Sequence, residues 1–480
     1  MEFIVLIAGF LIAAITAALT KKRSIMEGVS VGAAVIGLAA TIIIAHRVAG
    51  EGSYTPLSFI TVDALSAVII LIVAIVGCLT AIYTVPYLRR EHAKSIIGIG
   101  RVKQYYALVN LLFVAMFIAA TANNPVVAWI FLEGTTLATT FLISYYNRAS
   151  TVEAAWKYLI INALGLLLAF FGTLLYFTPF THATGIIDWS TMLHDAGNYS
   201  PAIAQIAFVL VLIGYGTKIG LAPMHTWKPD AYSKSPAPIG ALFSGALLPV
   251  AFMILLKFKM VTDAAVGAAF SQHLLIIFGL LSLVVAALSI LTVKNYKRML
   301  AYSSIEHAGM IALGFGFGGL GAFAGLLQMM YHSFVKAALF FVAGNLHMKF
   351  HSAHIENIKG AARILPITSI MLFIGLFAAT GFPPFGIFFS ELSILSAGFG
   401  QYAAASVVIL IAISVAFIGL FRQVTAMVFS KEDAESDVKR GEGNIWLIIP
   451  GFVLLALVLV TAFYVPPFVQ TLIHEATKQL

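Results

Sequence analysis

Apolar residues run along this chain in blocks of about twenty, separated by short polar stretches. A helix that crosses a bilayer needs ~20 such residues. Fourteen segments qualify, at about 2–20, 28–46, 62–84, 104–122, 124–146, 152–178, 201–221, 238–256, 272–292, 299–317, 320–345, 366–394, 400–428 and 445–466. The connections are short and no soluble domain interrupts them. The pattern predicts an all-α polytopic membrane protein of about 14 transmembrane helices. Composition agrees, with 61% hydrophobic residues, 10% charged residues and a mean hydropathy of +0.99. The stretch Met1–Thr20 has the apolar run of a signal peptide but no basic residues before it. Lys21-Lys22-Arg23 follow it, so it reads as the first span.

The charges sort by side. Of 28 lysines and arginines, 20 fall in the connections after odd-numbered spans, among them Lys228, Lys234 and Lys297. Only Arg47, Lys257, Lys259 and Lys478 fall on the other side, and Lys157, Lys218, Lys336 and Arg422 lie within spans. Basic residues concentrate on the cytoplasmic face of membrane proteins. The asymmetry therefore places the chain in the cell membrane, with both termini on the non-cytoplasmic side. The net charge of +8 is a topology signal and gives no reason to expect nucleic acid. A single cysteine, Cys78, excludes disulfides, zinc clusters and iron–sulfur ligation within the chain.

An internal repeat is legible. Lys157 is followed eight residues later by Gly165, and Lys336 eight residues later by Gly344. Gly220-Leu-Ala-Pro223 then answers Gly381-Phe-Pro-Pro384, the long loop of about 179–200 absorbing the difference in spacing. The matched elements are spans 6 and 11, then 7 and 12. Five helices separate the copies, so they face opposite ways, the inverted-repeat plan of secondary transporters. This divides the chain into 1–103 (spans 1–3), 104–257 (first repeat), 270–428 (second repeat) and 429–480 (a loop and span 14). Proline inside a helix removes one hydrogen bond and frees carbonyls that need protein, water or an ion. Pro223 close to Lys218, and Pro383-Pro384 shortly before Glu391, predict that helices 7 and 12 are broken beside a charge. Ordinary kinks or helix ends are the alternative.

Ionisable groups at bilayer depth cost at least ~2.5–3.5 kcal/mol each, and a chain keeps them where they face a hydrated interior. Glu133 lies in span 5 among Thr135, Thr136 and Thr139, as a titrating carboxylate or as a neutral acid bonded between helices. Lys218 lies deep in span 7 unless it reaches back to the surface. Gln328, His332 and Lys336 recur every four residues and form one polar stripe on span 11. Glu391 on span 12 carries the same two readings as Lys218. His307 is a relay or a hydrogen-bonded structural histidine, and Lys157 is part of the path or a residue of the cytoplasmic end of span 6. Asp63, opening span 3, reads as a helix cap. Two motifs are set aside. Gly314, Gly316 and Gly319 match GxGxxG but join two apolar helices without a strand. His347, His351 and His354 have metal-ligand spacing at a helix end with no carboxylate nearer than Glu356.

At these residues the chain resembles the antiporter-like membrane subunits shared by respiratory complex I, Mrp-type sodium/proton antiporters and group 4 membrane-bound hydrogenases. The resemblance rests on Phe131-Leu-Glu-Gly134, on Gly216-Thr-Lys-Ile-Gly-Leu-Ala-Pro-Met-His-Thr-Trp227 with Pro229-Asp-Ala-Tyr232, and on Lys297-Arg-Met-Leu-Ala-Tyr-Ser-Ser304 with His307. His332-Ser-Phe-Val-Lys-Ala-Ala-Leu-Phe340 and Gly381-Phe-Pro-Pro384 to Glu391 complete it. It implies that Glu133 and Lys218 form a coupled buried pair, that Lys336, His332 and His307 relay protons, and that Glu391 is the outlet. Two positions depart from the pattern. Ser244-Gly-Ala-Leu-Leu-Pro249 has proline where many relatives place a lysine in span 8, and Tyr232 stands where a histidine is common. Both put the bridge between half-channels in doubt and favour the hydrogenase branch, of formate-hydrogenlyase type. The resemblance then implies a proton-translocating subunit without a redox cofactor of its own, working beside other membrane subunits and a hydrophilic arm that carries nickel–iron and iron–sulfur centres. An Mrp-type antiporter moving sodium against protons, a complex I subunit and a non-transporting scaffold are the alternatives. An organic-solute transporter fits the lysine, histidine and glutamate interior poorly.

Overall fold

A computed structural model describes residues 1–180, 187–431 and 438–480. Parts of the loop at 179–200 and of the unit 429–480 thus lie outside the described residues. Among the described residues, twenty α-helices follow one another along the chain. They are α1 (Glu2–Leu19), α2 (Arg23–Glu51), α3 (Ala64–Ala93), α4 (Ile99–Thr121), α5 (Pro125–Ile143), α6 (Ala149–Leu175) and the short α7 (Trp189–His194). Next come α8 (Pro201–Ile219), α9 (Trp227–Lys234), α10 (Ala237–Leu242), α11 (Leu248–Val266), α12 (Ala268–Thr292) and α13 (Tyr296–Phe317). The chain ends with α14 (Leu320–Phe350), α15 (Ala361–Ile364), α16 (Pro366–Ala379), α17 (Gly386–Gln401), α18 (Ala403–Phe429), α19 (Ile449–Phe463) and α20 (Pro467–Lys478). A small antiparallel hairpin, β1 (Tyr54–Leu57) with β2 (Ile60–Val62), joins α2 to α3.

Among the described residues, eleven helices are long and apolar enough to cross a membrane, or twelve when α19 and α20, bent by 74°, count as one span. The sequence reading has fourteen segments. Its segment 299–317 is α13, whose Lys297, Arg298, Glu306 and His307 make it too polar for that count. Its segment 366–394 is divided into α16, of 14 residues, and α17, of 16. The bundle has an inner and an outer layer. The best apolar window of the span through α10 and α11 is 100% buried and that of α14 is 94% buried, whereas those of α1 and α18 are each 33% buried. The outer helices turn large apolar side chains outward, such as Ile12, Leu164 and Ile411. An all-round apolar helix needs such a non-aqueous surrounding.

Small residues bring the inner helices together. A side chain on Gly309 of α13 would come within 2.6 Å of the Gly279 carbonyl on α12, and one on Gly279 within 2.9 Å of the Gly309 carbonyl. Close crossings through glycine are how membrane helices gain contact where lipid offers no hydrophobic drive. Gly314 and Gly316 of the GxGxxG match have the same explanation: they abut Gly321 of α14 and Ile276 of α12. Asp63 caps α3 as expected, accepting from the Ser66 amide at 2.9 Å, and also pairs with Lys257. Gly309→Val should force α12 and α13 apart at a cost of about 1–3 kcal/mol. The check is thermal melting and yield of the purified protein in detergent, where both should fall; unchanged melting would show that the crossing tolerates bulk.

Candidate functional site

Both proline breaks stand where the sequence places them. α8 ends at Ile219 with Gly220 left-handed at φ 84°, and α9 resumes at Trp227. α16 ends at Ala379, Gly381 is left-handed at φ 62°, and α17 begins at Gly386. The Ala222–Pro223 and Pro383–Pro384 bonds are both cis. Each break frees carbonyls, and a nitrogen-bearing side chain takes one of them. Lys228 Nζ donates to Ile219 O at 2.8 Å, and His307 Nε2 donates to Ala379 O at 2.9 Å. Each glycine also leaves a space that an ionisable side chain fills. A Cβ on Gly220 would lie 2.6 Å from Cδ of Lys228, and one on Gly381 would collide with the Glu391 carboxylate.

Two ammonium groups are held in the same manner. Lys218, 3% exposed, donates to Thr136 Oγ1 and to the Tyr158 hydroxyl, each at 2.8 Å. Thr136 Oγ1 donates onward to Glu133 Oε2 at 3.2 Å. Lys336, fully buried at the middle of α14, donates to Ser303 Oγ, which donates to Glu306 Oε2 at 3.4 Å. In both, a hydroxyl stands between ammonium and carboxylate, and the hydroxyl comes from the same helix as the glutamate. Glu133 differs in being half-buried. It lies on a face of α5 that also shows Ile130, Leu137 and Phe141, each more than half exposed.

The histidines can be told apart by their hydrogen bonds. His307 gives Nε2–H to a carbonyl, which only accepts, so its Nδ1 is the acceptor and takes the Gln328 amide at 3.0 Å. Gln328 also donates to Glu391 Oε1 at 3.4 Å and accepts from Ser390. Ser304 Oγ donates to Leu300 O at 2.9 Å, so Ser244, 2.9 Å away, donates to Ser304. The Ser244 oxygen is then left to accept Nε2–H of His332, at 3.4 Å. Among the described residues His332 Nδ1 has no hydrogen-bond partner. Of the two imidazoles, whose centroids lie 5.1 Å apart, only His332 has a free basic nitrogen. Pro249 helps to place Ser244: without an N–H it cannot complete the bond to Gly245, and residues Phe243–Leu247 widen into a π turn.

The structure joins His307 to Glu391 through Gln328, sets the His332 ring beside that of His307, ties Lys336, one turn further along α14, to Glu306 through Ser303, and sets Lys218 with Glu133 in a second unit. Lys157 belongs to neither. It is half exposed on α6, with its ammonium on Glu153 at 2.6 Å and Asp230 at 3.5 Å. Three groups were missed. Glu306 sits between Ser304 and His307, and a carboxylate in span 10 was itself the signal. Lys228 and Lys297, read as loop residues, are 0% and 3% exposed; the charges and Pro229 around Lys228 lower the hydropathy and hide its depth. Lys297 lines a cavity of about 390 Å³ at the lysine- and arginine-rich end of the bundle. Glu91, His347 and His351 share that cavity, where Glu91 Oε2 and His347 Nδ1 have no hydrogen-bond partner among the described residues. Among the described residues no group of three or more His, Cys, Asp or Glu could hold a metal ion.

Residues 122–466 match the family described as NADH:quinone oxidoreductase/Mrp antiporter, transmembrane. The chain belongs to this family. The family match contains both ammonium–hydroxyl–carboxylate units and both breaks. A hydrogenase-4 component F homolog of Methylacidiphilum infernorum is 34% identical over 86% of this chain and 87% of its own length. A chain of an archaeal respiratory membrane complex, the membrane-bound sulfane sulfur reductase, superposes with a TM-score of 0.87 at 26% identity, over 100% of this chain and 97% of that one. A chain of the Mrp complex from Dietzia shares the fold, with a TM-score of 0.84 at 20% identity, over 100% and 96% of the two chains. The resemblance read from the motifs therefore holds, and this is an antiporter-like membrane subunit.

Gln328→Leu should lower the melting temperature of the purified protein, since it leaves His307 Nδ1 and Glu391 Oε1 without this partner at about 1–3 kcal/mol each. Lys157→Gln, on the surface, should leave it unchanged. Equal effects of the two would mean that the buried network is not a unit.

Proposed function

We propose that this chain is the proton-translocating subunit of a redox-driven membrane complex of the group 4 membrane-bound hydrogenase or formate-hydrogenlyase type. The observation that supports it best is the pair of buried ammonium–hydroxyl–carboxylate units. A hydroxyl that accepts from an ammonium and donates to a carboxylate can pass a proton by shifting both hydrogens at once, turning an ion pair into a neutral pair. Charge placed near either end favours one of the two states. Each unit is thereby a two-state element that a neighbouring charge can set. Glu133, half-buried on an outward apolar face, is the end that a neighbouring membrane subunit covers and biases. The hydrogenase-4 homolog's length match and the Pro249 and Tyr232 departures favour the hydrogenase branch over an Mrp-type exchanger.

The two five-helix repeats are inverted, and the matching left-handed glycines with ionisable side chains in their vacated spaces support that reading. The lysine- and arginine-rich end is cytoplasmic and both termini lie on the other side. Setting aside the four buried lysines 228, 257, 259 and 297 leaves eighteen basic residues against two. The 390 Å³ cavity at that end is polar enough to hold water and serves as the cytoplasmic mouth. Protons pass from there to Lys336 and His332, and leave by Glu391. Redox centres, nickel–iron and iron–sulfur, belong to partner subunits.

Affinity purification of the tagged chain in mild detergent, with nickel and iron analysis, tests the assignment. Nickel and iron in stoichiometric amounts with soluble redox subunits is the expected result. Membrane subunits alone, free of metal, would move the chain to an Mrp-type antiporter, and iron with flavin but no nickel to a complex I relative.

A further inference from the structure

We infer that Lys228 carries the proton between the two halves of the subunit, in the role that span 8 leaves without a lysine; the inference rests on the proton-translocating function above. No lysine occurs in α10, in the π turn or in α11 before Lys257, which is paired with Asp63. The crossing between the Lys218 unit and the Lys336 unit therefore needs a titratable group from elsewhere. Lys228 is fully buried, and α9 packs on α6, which supplies Tyr158 to the first unit, and on α13, which supplies Ser303, Glu306 and His307 to the second.

Its neighbours fit that position. Trp227 lies with its ring 5.0 Å from that of Tyr158 and 6.2 Å from that of Tyr232. The Lys218 ammonium lies 5.2 Å from the Tyr158 ring, and the Lys228 ammonium 5.6 Å from the Tyr232 ring. Trp227 thus touches the surroundings of both amines, and Phe243 lies against the same two tyrosine rings. On the far side, the Tyr232 ring stacks on that of Phe243 at 5.4 Å, and the next residue, Ser244, accepts from Nε2 of His332. His332 there offers the free Nδ1.

The way Lys228 is held suits exchange. Its hydrogen bond goes to Ile219 O, and a carbonyl accepts equally from an ammonium or from an amine, which keeps two hydrogens. Lys228 has no ion pair among the described residues, so no carboxylate locks its charge. Gly220 supplies the space for its stem as Gly381 supplies that for the Glu391 carboxylate. Lys228 at the first break is thus the counterpart of Glu391 at the second. The transfers balance: Lys218 ammonium gives a proton, through water, to Lys228 amine, and Lys228 ammonium gives one, again through water, to His332 Nδ1. Each donor becomes neutral as its acceptor becomes cationic.

The test compares Lys228→Met, Lys228→Arg and Lys218→Met in the intact complex, reading proton uptake per electron in sealed membrane vesicles. Arginine keeps the charge and the bond to Ile219 O but does not release its proton. Both Lys228 variants are expected to lose uptake by about a hundredfold, the contribution of one positioned proton carrier. Wild-type uptake in Lys228→Arg would overturn the inference and make Lys228 a fixed cap on the break. Should Lys228→Met not assemble, the arginine variant decides alone. Lys218→Met separates the two levels. If it too takes up protons normally, the functional reading itself fails; if it is inactive while Lys228→Arg is active, only the role of Lys228 does.

Discussion

An ammonium group inside an apolar bundle has to be held by oxygen, and among the described residues no carboxylate holds any of the three central lysines directly. Lys218 rests on two hydroxyls, Lys228 on a backbone carbonyl and Lys336 on the Ser303 hydroxyl. A direct ion pair in low dielectric is strongly attractive, and removing one partner of such a pair costs about 3–5 kcal/mol. A lysine so locked would be a poor carrier. In the proposed function, interposing Thr136 or Ser303 keeps the glutamate close enough to share a proton and far enough not to trap the charge.

The breaks supply the rest of the oxygen. Proline ends α8 and α16 inside the bundle, and left-handed glycines turn the backbone so that Ile219 O and Ala379 O point at Lys228 and His307. Pro249 acts differently. It widens one turn of an otherwise continuous inner span and places Ser244 against His332. The same proline that stands where the resemblance leads one to expect a span 8 lysine thus fixes which nitrogen of His332 is free.

Much of this was legible from residue types and spacing. Charges at depth found Glu133, Lys218, Lys336 and Glu391, and proline beside charge found both breaks, because each breaks a strong apolar rule. The polar stripe Gln328, His332 and Lys336 followed from helical period. Lys228 was not legible, because a helix that resumes after a break carries its own charges and reads as a loop. Glu306 was legible and passed over beside His307. The hydrogen-bond direction that frees Nδ1 of His332 depends on a chain of four groups from three helices, and no local pattern records that. Lys157 shares the repeat spacing of Lys336 yet reaches the surface, since the start of α6 is exposed where the middle of α14 is enclosed.

The account stands on the hydroxyl between ammonium and carboxylate, and Thr136→Val removes that hydroxyl while keeping the shape of the side chain. The measurement is the number of protons moved per electron by the purified complex in proteoliposomes, with electron transfer followed in the same sample. The expected result is a fall in that ratio in Thr136→Val, with the complex assembled and its metal content unchanged. An unaltered ratio would contradict the account, for Lys218 and Glu133 would then communicate without the group that stands between them.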